Sequence, residues 1–362
     1  MKITSPLLVS AFIHPERIIQ LDLSQWDLLI RQARRAGVLA RLSCFLENNK
    51  TLSLVPEQPL NHLKSAKIYA DQFEKSLVWE VQCIRQSLSQ HNIPVILLKG
   101  AAYIVTNSLV SKGRIFSDVD ILVDENQLAN AEFSLRVNGW MPGQLDLYDQ
   151  KYYRQWMHEI PPLTHVERQS SIDVHYNILP KVSKFCPDAN KLLANIVMVP
   201  EKNIWVLAPE DRVLHSATHL FHEGELEHGF RDLSDLDLLL KELSMEDGFW
   251  IKLLDRAVEL NQQTPLFYAL RYSSLILQTP VPAEVLKASE GHTTPNRIKQ
   301  KLMDALFLRA LMPDHQSCND QWTGLARWLL FIRSHWLRMP WYLLIPHLLR
   351  KSWLRLTGKS HH

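Results

Sequence analysis

Residues 114–124 read Arg-Ile-Phe-Ser-Asp-Val-Asp-Ile-Leu-Val-Asp. A period of two runs through the stretch, with Ile115, Val119, Ile121 and Val123 on its apolar side, and it predicts a β-strand. Asp118 and Asp120 stand two residues apart, so their carboxylates leave one face, roughly 6–7 Å apart along the chain. Beside apolar residues they would repel one another, and a divalent cation would relieve that repulsion. Ligands that are all oxygen suit Mg2+ or Mn2+ and argue against zinc. A strand end carrying two solvated aspartates is the competing reading of the pair alone.

Upstream, Ile93-Pro94-Val95-Ile96-Leu97-Leu98 is a short apolar run of the kind that makes a buried strand. It ends in Lys99-Gly100-Ala101-Ala102, whose small residues open a helix reaching Leu109. A strand entering a helix through glycine presents backbone N–H groups and a positive dipole end to a phosphate. Lys99 would add a point charge beside it, although a Lys-Gly pair is more often a plain turn. Downstream, Asp124 or Asn126 caps a helix over 127–137 that Gly139 ends, and 140–150 reads as loop and the start of a strand.

Residues 151–178 then read as antiparallel strands: a block with Tyr152, Tyr153 and Trp156, a block over 160–166, and a block over 171–178. Turns are expected at Pro161-Pro162 and near Gln169-Ser170. Ile172-Asp173-Val174-His175 puts Asp173 and His175 on one face. Two cations need ligands from more than one strand, which makes Asp173 the natural third ligand. An exposed edge aspartate with a surface histidine is the plainer alternative.

Composition sets outer bounds. The 362 residues suffice for two or three structural units around a large core. Hydrophobic content of 46% and charged content of 22% are ordinary soluble globular values. A net charge of +2 gives no global field that argues for nucleic acid. Cys44, Cys83, Cys186 and Cys318 lie far apart and form no CxxC, so neither a zinc ribbon nor a disulfide framework is expected, and a reducing, cytoplasmic compartment fits best. Residues 1–13 lack the pattern of a secretory leader, and no uncharged apolar run reaches about 18 residues.

The rest of the chain reads as helix, apart from an exposed loop over 280–296. In 16–50, Leu21, Leu23, Trp26, Leu29, Ile30, Ala33 and Val38 make a stripe, and Gly37 can close one segment. Residues 52–59 read as loop, and a long helix is predicted over 60–91. The expected organisation is a helical region over 1–90, a mixed core over 91–205 and a second helical region over 206–362.

A strand ending in a Gly loop, a helix, a strand with Asp-x-Asp and a later strand with Asp together resemble the nucleotidyltransferase superfamily typified by DNA polymerase beta. Leu98-Lys99-Gly100, then Arg114-x-x-Ser117-Asp118-Val119-Asp120, then Ile172-Asp173-Val174-His175 are most similar to a bacterial family of poorly characterised nucleotidyltransferases. The resemblance spans roughly residues 60–240. It implies an α+β fold, a polymerase beta-like core with a small mixed sheet flanked by N- and C-terminal helical regions. It also implies a metal-dependent enzyme that moves an NMP from an NTP, ATP or another, onto an acceptor with release of pyrophosphate. Asp118, Asp120 and Asp173 would be the catalytic metal ligands, for Mg2+ or Mn2+, with Asp173 closest to the acceptor proton. Lys99, Gly100, Arg114 and Ser117 would bind the nucleotide, Arg114 by bidentate phosphate contact unless it is a loop residue facing water.

One departure stands out: the superfamily usually has Gly-Ser where this chain has Lys99-Gly100-Ala101, so Lys99 and backbone amides would replace the serine. The acceptor is open, with a small molecule, sugar or peptide ahead of a tRNA or protein acceptor as in toxin-like relatives. A non-catalytic nucleotide-binding module is the reading of another class. His175, His219, Arg231 and Asp235 would line the cleft, although Arg231 and Asp235 are also placed for a simple i, i+4 pair.

Two features fall outside the resemblance. His215, His219 and His222 share a helix, but no third ligand for zinc at fixed geometry is evident. In the tail, Trp322, Trp328, Trp336, Trp341 and Trp353 interleave with Arg327, Arg333, Arg338, Arg350, Lys351 and Arg355. That mixture suits a peripheral membrane surface, an acidic partner or a nucleic-acid backbone. It equally suits a helix pair docked on the body with its arginines on the wet side. His361-His362 are native or the remnant of a tag.

Overall fold

The computed structural model describes residues 6–143, 146–222, 224, 226–291, 296–346 and 350. Lys351, Trp353, Arg355 and His361-His362 of the tail lie outside the described residues. The chain starts helical. Asp22 accepts from the Gln25 N–H and Gln25 answers in kind, a capping box that fixes the start of Leu23–Arg35. Gly37, at φ +69°, turns the chain into Leu39–Asn48. Glu57–Ser89 is a single 33-residue helix. It begins ahead of its apolar run because Pro59 fits the first turn, where a missing N–H costs nothing.

Among the described residues, seven strands then make one mixed sheet: β1 (Ile96–Leu97), β2 (Asp118–Leu122), β3 (Trp140–Pro142), β4 (Leu163–His165), β5 (Ser171–His175), β6 (Ile196–Val199) and β7 (Ile204–Leu207). Their order is β3-β4-β5-β2-β1-β7-β6. β2 runs parallel to β5 and β1 parallel to β7, and the other neighbours are antiparallel. The fold is α+β. Helices Pro209–His222, Gly229–Leu243, Phe249–Glu259, Gln263–Leu277, Arg297–Ala310 and Thr323–Arg338 follow the sheet. Buried apolar side chains from Leu8 to Leu330 form one continuous cluster. The four cysteines are free thiols. Among the described residues, no helix is long and apolar enough to cross a membrane.

Four local expectations are corrected. The helix after β1 is only Lys99–Val105, with a separate short turn at Leu109–Ser111. β2 starts at Asp118 rather than near 114, because Phe116 packs against Gly100 and Arg114 is drawn into a buried ion network. The aromatic block Tyr152–Trp156 is a π-helical turn and not a strand. It continues the helix Leu147–Lys151, whose start Asp146 caps, and Trp156 stands edge-on to Tyr148 and Tyr152 at 5.9 and 6.1 Å. Within 280–296, read as loop, Ala283–Gly291 is helical.

The tail docks as a helix pair, but the side chains are reversed from the expected arrangement. Arg327, Arg333 and Arg338 turn toward the body, and Trp322, Trp328, Trp336 and Trp341 face solvent.

At Gly100, beside the acidic strand, a side chain is excluded by contact. A Cβ there would lie 2.0 Å from the Phe116 ring, and Phe116 in turn carries the Arg114 guanidinium 4.7 Å from its centroid. Gly100→Ala is expected to cost about 1–3 kcal/mol in urea unfolding, the range for overpacking. It should also slow any nucleotide-dependent activity by displacing Phe116.

Candidate active site

Asp118 and Asp120 leave β2 on one face, and the parallel register sets Asp173 of β5 opposite Asp120. Ser171 stands opposite Asp118 and His175 opposite Leu122. Lys99, at φ +39°, turns the chain from β1 into its helix, and its Nζ donates to Asp120 Oδ1 at 3.2 Å. His175 Nε2 lies 2.9 Å from the same oxygen, and its Nδ1 lies 3.2 Å from Glu159 Oε2. A bridge between Glu159 and His175 holds that carboxylate in place. The His158 ring stacks on His175 with centroids 5.3 Å apart.

These contacts sort the three carboxylates by charge. Burial disfavours ionised Asp120, but Lys99 and His175 outweigh it and hold the carboxyl well below its usual range. Burial likewise opposes a charge on His175, and Asp120 and Glu159 overcome it to raise its pKa. At Asp118 burial, then the Asp120 charge, outweigh Lys99, Ser117 and His175 and push it up. Asp173 is pushed up to about 7 by burial and by Asp120, Glu159 and Asp118.

This is the condition a divalent cation answers, since it would let all three ionise together. Asp120, Asp173 and His175 offer ligand atoms within 4.8 Å of one another. With both His175 nitrogens already directed at carboxylates, the donors left are oxygens, which suits Mg2+ or Mn2+. Asp120 and Asp173 fit such an ion, and Asp118, outside that group, leaves the same face of β2.

A raised carboxyl has a definite pH signature. The folded chain holds the Asp173 proton more tightly than the unfolded chain does, so this group's stabilising contribution is present below about pH 4. It is lost as pH climbs through about 7. The metal-free protein should therefore melt at lower temperature at pH 8 than at pH 5 through this group, and Asp173→Asn should flatten that decline. Added Mn2+ should raise the melting temperature more at pH 8 than at pH 5, because the ion must displace the proton.

A network of buried ion pairs stands across from the sheet. Asp235 Oδ1 is 2.6 Å from Arg41 Nη1, and Asp235 Oδ2 is 3.1 Å from Arg114 Nε. Asp232 Oδ1 takes Arg114 Nη2 at 3.3 Å and Arg231 Nε at 2.8 Å. Arg114 is buried rather than facing water. Arg231 turns to Asp232, while Asp235 serves Arg41 and Arg114.

Between the two layers lies a cavity of about 520 Å3. The sheet side supplies Lys99, Gly100, Arg114, Ser117, Asp118 and Asp120; helices supply His219, Arg231, Asp232 and Asp235. Asp173 and His175 are not among its lining residues, and meet it through Asp120. The three helical histidines diverge. His219 lines the cavity; His215 is buried, with its pKa driven well down by burial, Lys99 and His175; His222 packs on the Phe185 ring at 5.5 Å. Among the described residues, none of the three belongs to a group able to hold a metal.

Sequence reasoning misses Glu159, Asp232, Arg41 and Phe116. The Arg231-Asp232 dipeptide hints at Asp232. Nothing local marks Arg41, which comes from the helix Leu39–Asn48, or Glu159, which acts through a single bridge.

No curated protein and no solved structure matches the chain. A family model described as an uncharacterised nucleotidyltransferase matches residues 22–278. That span holds all the residues just described, from Arg41 through the paired strands to Asp235. The chain belongs to this family of uncharacterised nucleotidyltransferases.

Proposed function

We propose that the protein is a metal-dependent nucleotidyltransferase that moves an NMP from an NTP onto an acceptor hydroxyl or phosphate. The observation that carries this reading is the alignment of Asp120 with Asp173 across β2 and β5, with Asp118 on the same face beside the cavity. Bound by Asp118, Asp120 and Asp173, Mg2+ or Mn2+ would neutralise phosphate charge and favour an ionised acceptor oxygen. Asp173, ionised in that state, takes the acceptor proton. The acceptor oxygen bonds to the α-phosphorus as the bond to the bridging oxygen breaks, and pyrophosphate leaves.

The remaining residues bind and orient. Lys99, at the cavity wall, offers a positive charge to the triphosphate. Arg231 and His219 face the same space from the helices. Arg114, committed to Asp235 and Asp232, acts as a positioning residue that keeps Phe116 over Gly100. His175 and Glu159 hold Asp120 ionised and oriented. A small molecule, sugar or peptide is the favoured acceptor class.

The test is incubation with each α-32P-labelled NTP and Mg2+ or Mn2+, on the protein, on RNA and on host extract, beside an Asp118→Ala/Asp120→Ala control. Label transferred by the wild type alone supports the reading. Binding of an NTP without turnover in any mixture would replace it with a non-catalytic nucleotide-binding module.

A further inference from the structure

The helix Thr323–Arg338 has two unlike faces. Thr323, Ala326, Leu330 and Ser334 are buried. The arginines also turn inward. Arg327 Nη1 lies 2.6 Å from Asp314. Arg333 sits over the Tyr268 and Phe307 rings and donates to the Phe221 carbonyl. Arg338 donates to the His222 carbonyl. The outer face carries Trp322, Leu325, Trp328, Ile332 and Trp336 at steps of three and four, and these stand 53, 46, 58, 43 and 62% exposed. Trp341 and Tyr342, past Pro340, are exposed as well.

Packing would give the opposite arrangement, with indoles inside and guanidiniums in water. A contiguous apolar row of this kind marks a surface that meets something else. Charge identifies the partner. Residues 321–362 hold seven Lys and Arg and no Asp or Glu, which leaves residues 1–320 with 33 basic against 38 acidic side chains; Arg327 and Arg350 pair with Asp314 and Asp146, while Arg333 and Arg338 donate to carbonyls and keep their charge uncancelled by those bonds. The chain is nearly neutral only because a basic end offsets an acidic body. Tryptophan prefers the boundary between headgroups and hydrocarbon, and basic residues draw such a helix to anionic lipid.

We infer that the outer face of Thr323–Arg338 seats on an anionic phospholipid bilayer, lying in its surface without crossing it. A second copy would cover the apolar row but bring two acid-free basic segments together. Nucleic acid would answer the charge and leave Leu325 and Ile332 in water.

The experiment is flotation of the full-length protein with vesicles of phosphatidylglycerol and phosphatidylcholine, against phosphatidylcholine alone. At least tenfold more protein should float with the anionic vesicles, and brominated phospholipid should quench the wild-type tryptophan fluorescence. Trp328→Ser/Trp336→Ser should cut flotation at least tenfold with an unchanged melting temperature. Trp79→Ser, which alters an exposed indole on the helix Glu57–Ser89, should leave it intact. Absence of flotation or quenching overturns the inference. So does an equal loss with Trp79→Ser, or a dimer or RNA complex that the double variant abolishes while vesicles are ignored.

Discussion

Asp120→Asn should lower nucleotidyl transfer by about 100- to 1,000-fold, the scale seen when a group aimed at transition-state charge is removed. Asp120 is the carboxylate on which the site converges, touched by Lys99 and by His175 through one oxygen. Asparagine keeps the shape and one acceptor oxygen but removes the charge that holds both cations and would hold a metal. The melting temperature should change far less than the rate, since one buried negative charge is lost from a cluster already short of counter-charge. Single-turnover transfer with labelled NTP, paired with a thermal melt, separates the two effects. A variant that retains more than about a tenth of the rate would remove Asp120 from the chemistry.

Asp235→Ala should act mainly on stability. Its two oxygens bind Arg41 and Arg114, both largely out of water. Burial already drives the Arg41 pKa down against the attraction of Asp235. Without the carboxylate, two guanidiniums would face each other with Asp232 as the nearby counter-charge. Breaking one partner out of a buried ion group typically costs about 3–5 kcal/mol, because the stranded charge remains desolvated. Urea unfolding should register a loss of that order, and Asp235→Asn should recover part of it through hydrogen bonding. A change under about 1 kcal/mol would mean that water reaches the arginines and the network contributes little.

The sequence shows most where a short period and a chemical need coincide. Val119, Ile121, Ile172 and Val174 repeat at two because both strands are buried on one face, so β2 and β5 are legible along with their aspartates. The long helix Glu57–Ser89 is legible for the same reason at a longer period. Tyr152–Trp156 is not, because aromatic residues favour strands only on a pleated surface with neighbours to pack against. Here the neighbours are Tyr152 and Tyr148, one and two turns back on the same helical run. Ala283–Gly291 hides among prolines and threonines. Arg41 and Glu159 are invisible because their partners, Asp235 and His175, are distant in sequence. The tail shows its residue types but not which way they face.

The opposition of Asp120 and Asp173 has a consequence for how the protein becomes competent. β2 and β5 are parallel and some fifty residues apart, so their pairing closes a long loop and comes late relative to the local helices. A slip of one residue in β5 would bring Ile172 or Val174 to the carboxylate face and send Asp173 to the other side. A folding chain thus has no third carboxylate until this last ladder is in register. The rise of cation affinity during refolding would report the joining of these two strands.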